Sequence, residues 1–247
     1  MGMPEWPEME TYRKLLNERI CGLKISSVVV NRANAVNEPE EHFRRELPGR
    51  QIPIVERRGK HLIFHLDDGN RLLLSLTPGG WLYFGQEVPG KDQDYQVILD
   101  FENGNRLYFG GLKPGNLQRL TAKQVMEELK SLGPEPFDPR LTEEAFRKRL
   151  ASRKGKLKTT LTDQKLVAGI GNCCSDEICF EAMIHPEMPV PRLSSEQVGR
   201  LYASMHKVLS EATARGGPMD KPFYTSDRHT GGFHETRKVY DREGEPC

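Results

Sequence analysis

The chain has 247 residues, enough for one large domain or two of about 120 residues each. It is 36% hydrophobic and 29% charged, and no apolar run approaches the ~20 residues that a spanning helix needs. The first ten residues hold two prolines and three glutamates and no apolar core, which argues against a signal peptide, so an intracellular, cytoplasmic protein is expected. Its 36 basic and 35 acidic side chains leave a net charge of +1, so any attraction to a polyanion must be local.

Pro7 suits the first turn of a helix, and Met9, Tyr12, Leu15, Leu16 and Ile20 follow at helical spacing, so a helix is predicted over 7–19. Glu8 and Glu10 sit where the helix dipole favours acids. From 23 to 120 the pattern turns to strands, at 25–30, 52–55, 61–66, 71–76, 95–101 and 106–109. Asp67-Asp68-Gly69-Asn70 and Glu102-Asn103-Gly104-Asn105 mark two hairpins. Helices are predicted over 121–132, 142–153, 156–161 and 175–183, and Ser194 with Gln197 forms a capping box for another that ends at Gly216-Gly217. Residues 218–232, rich in Gly, Pro, Ser and Asp, suggest a mobile loop, and 237–240 a short strand.

Between 146 and 165, Arg147, Lys148, Arg149, Arg153, Lys154, Lys156, Lys158 and Lys165 face one acid, Asp163. Such a run can neutralise several phosphates, although a solvated helix face has the same composition. The five cysteines form no Cys-x-x-Cys pair and, in an odd number, argue against a disulfide framework. Cys21, Cys173, Cys174 and Cys179 are expected as small buried hydrophobes.

Four segments stand out in order: Pro4-Glu5-Trp6-Pro7-Glu8; Arg57-Arg58-Gly59-Lys60; Lys165-Leu166-Val167-Ala168-Gly169-Ile170-Gly171-Asn172; and Val239-Tyr240-Asp241-Arg242-Glu243-Gly244-Glu245-Pro246-Cys247. Each alone is weak, since a glycine-rich turn before a helix is more often a tight connection than an anion site. Together they make the chain resemble the formamidopyrimidine-DNA glycosylase and endonuclease VIII family of base-excision repair enzymes, over nearly its whole length.

The resemblance implies an α+β fold. An amino-terminal antiparallel β-sandwich with one helix (4–120) precedes a helical DNA-binding domain with a helix–two-turn–helix (121–236), and 237–247 begins an incomplete zinc finger. It implies a monomeric, nucleoid-associated DNA glycosylase that removes oxidised bases from damaged double-stranded DNA and then cleaves the strand. Pro4, Glu5 and Lys60 are the implied catalytic residues, and Asn172, Gly171, Lys156, Lys158 and Lys113 the implied DNA contacts. Cys247 matches the first of four cysteines that hold structural zinc, so the chain as written should hold none.

The residues agree chemically. A proline with a free amino group is a secondary amine with pKa near ~8, able to attack the sugar C1′ and form an iminium. Glu5 can supply and move protons, and Asn172 with neighbouring backbone N–H groups can hold a phosphate. The plain alternatives are a turn proline, a surface lysine and a helix-capping asparagine.

Three departures stand out. Met1-Gly2-Met3 precedes Pro4, whose nitrogen is an amide unless those residues are removed. The positions of the family's intercalating wedge carry Pro78, Lys113 and Gly115, with Trp81 nearby as a substitute wedge or a half-buried strand aromatic. The finger cysteines beyond Cys247 are not in the sequence. These departures motivate an alternative, a non-catalytic binder of damaged or bent DNA on the same fold. A third reading, a helical protein whose basic run binds RNA, leaves Pro4-Glu5 unexplained.

Overall fold

The structure, a computed structural model, describes residues 2–87 and 94–246. Met1 and Cys247 lie outside the described residues, and with them the expected zinc ligand.

Helix α1 (Trp6–Ile20) opens the chain with Pro7 in its first turn. Among the described residues eight strands follow: β1 (Ile25–Val30), β2 (Val55–Arg58), β3 (His61–His65), β4 (Asn70–Ser75), β5 (Trp81–Gly85), β6 (Tyr95–Phe101), β7 (Arg106–Gly110) and β8 (Leu117–Thr121). They form two four-stranded antiparallel sheets, ordered β1-β6-β7-β5 and β2-β3-β4-β8. Both predicted hairpins are present, and their turns place Gly69 and Gly104 at positive φ.

Alternate residues of both sheets meet in one core: Leu62, Phe64, Leu72 and Leu74 face Leu82, Phe84, Val97, Leu99, Leu107 and Phe109. Met9, Tyr12, Leu16 and Ile20 of α1 seal it. Ile63 and Leu73, pointing the other way, are covered by Val125 and Leu129 of α3 (Ala122–Leu129). The outward face of the first sheet carries Trp81, Tyr83, Ile98 and Tyr108.

The second half is helical: α4 (Glu143–Ala151), α5 (Leu157–Leu161), α6 (Asn172–Glu181) and α7 (Ser195–Ala214), the last begun by the expected Ser194–Gln197 box. Their core contains Phe146, Leu161, Ile178, Leu201 and Met205, and also Trp6. Helix α1 therefore belongs to both cores, Trp6 to one and Met9 onward to the other.

Several expectations need correction. A helix α2 (Glu40–Glu46) interrupts the strand-rich half. The segment expected as a strand at 52–55 pairs only from Val55 onward. Helix α6 starts at Asn172, three residues early. Residues 218–232 are fastened: Phe223 is fully buried, its carbonyl accepts the Phe84 N–H (2.7 Å), and the Asp227 carboxylate accepts the N–H groups of Phe223, His229 and Thr230. No strand forms at 237–240.

Candidate active site

The first and fourth segments line one cleft, whereas the second and third pack against the first, and neither Lys60 nor Asn172 lines the cleft. The Trp6 N–H, at the start of α1, donates to the Gly169 carbonyl (2.9 Å). Gly169 has φ +102°, and a Cβ there would lie 2.6 Å from Trp6 Cδ1. Only glycine lets the two backbones come this close.

That contact places Glu5 against the start of α6. Glu5 is buried, and its carboxylate accepts three backbone N–H groups: Gly171 (2.8 Å) and Cys174 (3.0 Å) on Oε2, Cys173 (2.8 Å) on Oε1. A Cβ at Gly171 would come 2.4 Å from Glu5 Cδ. The helix terminus is an anion site, as its sequence suggested, but the anion is a carboxylate of the same chain. The N–H groups of Gly171, Cys173 and Cys174 are therefore not free for a phosphate. Asn172 is exposed, and its side-chain amide makes no hydrogen bond among the described residues.

Glu8 lies one turn further along α1, and its Oε2 accepts the Glu5 N–H (3.1 Å). Burial and the Glu5 charge push its carboxyl up to about 8, against the weaker opposing pull of Lys60. Lys60 is itself buried, in the tight hairpin joining β2 to β3. The Gly59 N–H donates to Glu135 Oε1 (2.7 Å), which fixes that hairpin.

Glu135 was not singled out by the sequence, since nothing in a linker of prolines and acids distinguishes it. It also accepts from Trp6 Nε1 (2.9 Å), Arg57 Nη1 (2.5 Å) and Arg58 Nη1 (2.8 Å). Arg57 reaches Glu10 as well (3.0 Å), and its guanidinium lies 4.5 Å from the Trp6 ring centroid. Burial alone would raise the Glu135 carboxyl, but the Arg57 charge and these hydrogen bonds hold it below its usual range.

The cleft has a volume of about 510 Å³, and Pro4, Glu5, Trp81, Lys221 and Tyr240 contribute to its walls. Gly2 and Met3 run along it, so the Pro4 nitrogen is acylated in the full chain. The tail reaches the cleft because Glu177 of α6 captures the N–H groups of Lys238, Val239 and Tyr240 at 2.9–3.1 Å.

Lys113, Lys156 and Lys158 do not line this cleft. Lys113 is exposed in the turn before β8, and Lys156 and Lys158 pair with Glu187 and Asp176, each at 2.8 Å. Of the wedge positions, Pro78 and Lys113 are exposed and Gly115 has no side chain. Trp81 is only 7% exposed, which makes it a wall and not a projecting wedge.

Among the described residues no group of three His, Cys, Asp or Glu could hold a metal ion. Cys21, Cys173, Cys174 and Cys179 are free, and burial raises all four thiols, Cys179 to about 12. A structural zinc needs four clustered ligands, and among the described residues these cysteines are not gathered into such a set. No described helix is long and apolar enough to cross a membrane.

Comparison with known proteins agrees with this geometry. Residues 3–114 match the formamidopyrimidine-DNA glycosylase N-terminal domain, and residues 132–221 match the H2TH domain of the same enzymes. The chain is 36% identical to the formamidopyrimidine-DNA glycosylase of Listeria innocua, over 99% of this chain and 91% of that one. It is 34% identical to that of a Bacillus cereus strain, over 99% and 90%. Its fold is similar to that of Lactococcus lactis Fpg in complex with DNA containing an abasic site (TM-score 0.88, 32% identity, 98% of this chain and 90% of that one). A variant of the same enzyme bound to DNA containing Fapy-dG gives a TM-score of 0.88 at 32% identity, over 99% and 90%. The chain belongs to the formamidopyrimidine-DNA glycosylase family.

Proposed function

We propose that the chain removes oxidised bases from duplex DNA and then cleaves the strand by β-elimination, with the Pro4 amine as nucleophile once residues 1–3 are removed. The observation that carries this is the setting of Glu5, a buried carboxylate fixed by three backbone N–H groups beside Pro4 in the wall of a cleft. The glycosylase activity follows from family membership, and the residue roles follow from the chemistry of this arrangement.

The Pro4 nitrogen attacks C1′, the bond from C1′ to the base breaks, and the base leaves with the bonding electrons and gains a proton. The attacking amine loses its proton, and the C1′–O4′ bond then opens, O4′ keeping that electron pair and taking up a proton as the C1′=N double bond forms. The resulting iminium makes the C2′ proton acidic, and its loss expels the 3′ phosphate. A carboxylate has about four lone-pair sites. Three are used by backbone donors, and the remaining one, on Oε1, is where Glu5 carries a proton to or from the sugar. Lys60, close enough to Glu8 to feel its charge, supplies a cation for the phosphate flanking the lesion.

Around the cleft, Asn172, Lys113, Lys156 and Lys158 serve the DNA backbone. On binding, Lys156 and Lys158 exchange Glu187 and Asp176 for phosphate, so affinity falls as salt rises. The expectation of zinc at Cys247 rests on resemblance alone, and no step here uses a metal. A non-catalytic binder leaves unexplained why three backbone donors are spent on orienting Glu5.

Borohydride trapping on duplex DNA with an oxidised purine tests the proposal. Protein whose first residue is Pro4 should form a covalent adduct. The chain retaining Met3 should form none, and Glu5→Gln should slow base excision by at least about 10²-fold. Absence of an adduct with the Pro4-first protein would refute the mechanism.

A further inference from the structure

We propose that Trp81 is the stacking wall for the base turned out of the duplex, and that Lys221 covers this wall until a base displaces it. The proposal rests on the glycosylase reading above and adds to it the residue that receives the base.

Three features place Trp81. It opens β5 opposite Gly110 of β7, and a Cβ at Gly110 would lie 1.9 Å from indole Cε2, so the ring lies against bare backbone. A Cβ at Gly111 would likewise lie 2.3 Å from the Gly79 carbonyl oxygen, so the turn leading into Trp81 is pressed onto the same strand end. Tyr83, Ile98 and Tyr108 back it on the outer face of the sheet. The indole is thus rigid, and it borders the cleft that holds Pro4 and Glu5.

Its cover is of a different kind. The Lys221 ammonium stands 4.3 Å from the indole centroid and makes no ion pair among the described residues. Lys221 is exposed, and the chain around it is held by buried Phe223 and by Asp227, so the side chain can swing while its backbone stays. A solvated cation over an aromatic face is a weak contact. Base-on-indole stacking is stronger and tolerates any planar base, because every base has a π-face. A displaced ammonium, tethered at the cleft, then meets the edge of the base. That edge favours oxidised bases, whose added carbonyl oxygens are acceptors in the ring plane. The wall supplies general affinity for an extruded base, and the cover supplies preference for oxygen-rich edges.

The test separates base excision from cleavage at a preformed abasic site, which has no base to stack. It uses Pro4-first protein under single-turnover conditions on both substrates. Trp81→Leu should slow excision of an oxidised purine at least 10-fold, while abasic-site cleavage stays within about twofold of the unaltered protein. Trp81→Phe, which keeps an aromatic face, should recover most of the excision rate. Equal loss on both substrates, or loss on neither, overturns the proposal.

A second measurement does not depend on turnover. In a Glu5→Gln background, duplex with the oxidised base should quench tryptophan emission more than duplex with an abasic analogue, and Trp81→Phe should abolish that difference. A difference that survives Trp81→Phe also overturns it. Failure of the unaltered protein to cleave the abasic duplex strikes the glycosylase–lyase reading itself, and the stacking wall falls with it.

Discussion

Glu5 and Glu8 stand one helical turn apart, and the fold gives them opposite surroundings. Glu5 meets three N–H donors, whereas Glu8 meets burial and the charge of Glu5, and its carboxyl rises from 4.5 to about 8. The folded state therefore keeps a proton that the unfolded chain has released between those two values. The sign follows: this contribution to stability is full below about 4.5 and is lost as pH rises toward about 8. Glu8→Gln, which cannot ionise, should flatten the decline of Tm between pH 5 and pH 8. Parallel Tm profiles for the two proteins would remove the argument. From the sequence, Glu8 was legible only as an acid favoured by the helix dipole, because its burial is set by Gly217 and the α6 turn, far away in the chain. Met183 is a simpler case. It adopts φ +55° while 80% exposed, so its side chain gains little from packing in a backbone region that costs an L-residue energy. Met183→Gly should stabilise the protein by about 0.5–1 kcal/mol, read as a higher urea midpoint.

At the scale of elements, what was legible depended on whether one face of a segment stays exposed. Strands with period-two patterning and Asp-Gly or Asn-Gly turns were found nearly to the residue. The β5 sequence Trp-Leu-Tyr-Phe-Gly is buried on both faces, so it shows no alternation. Helix α2 is seven residues long with a single buried position, Phe43, too short for a helical period to emerge. The sequence does not mark the start of α6, because Asn172 and Cys173 carry no periodic signal and its first turn is fixed by Glu5, some 166 residues away in sequence. The segment 237–240 was expected as a strand, but its N–H groups find the Glu177 carboxylate instead of a neighbouring strand. One carboxylate thus anchors the tail that brings Tyr240 to the cleft. Glu177→Ala should cost about 1–3 kcal/mol and increase amide exchange at 238–240 at least tenfold, leaving the β-sheets protected. Unchanged exchange there would mean that the tail is held by something else.

For the whole molecule, the four segments are legible in the sequence, but the residue that ties the first two together is not. Glu135 joins Trp6 of α1, Arg57, Arg58 and Gly59 of the hairpin and, through the linker it occupies, the helical half. It is one carboxylate with four donors, and the two cores meet around it. The Arg57 side chain is only 8% exposed, so loss of its partner leaves a poorly solvated charge with Glu10 alone. Removing one member of such a buried pair costs about 3–5 kcal/mol. The Glu10 and Glu135 carboxyls both lie below their usual 4.5, so this clasp is intact above that value and is lost as pH falls through the lowered pKa values, the reverse of the Glu8 effect. Stability should therefore peak between the two limbs, with the acid limb belonging to the clasp and the alkaline limb to Glu8. Glu135→Ala should broaden the response to denaturant. The sheet core and the helical core, no longer tied at the hairpin, should unfold in two transitions where the unaltered protein shows one, with Trp6 emission following the helical transition and amide exchange in β3 and β4 following the other. A single transition at an unchanged midpoint would show that α1, which belongs to both cores, couples them without the clasp.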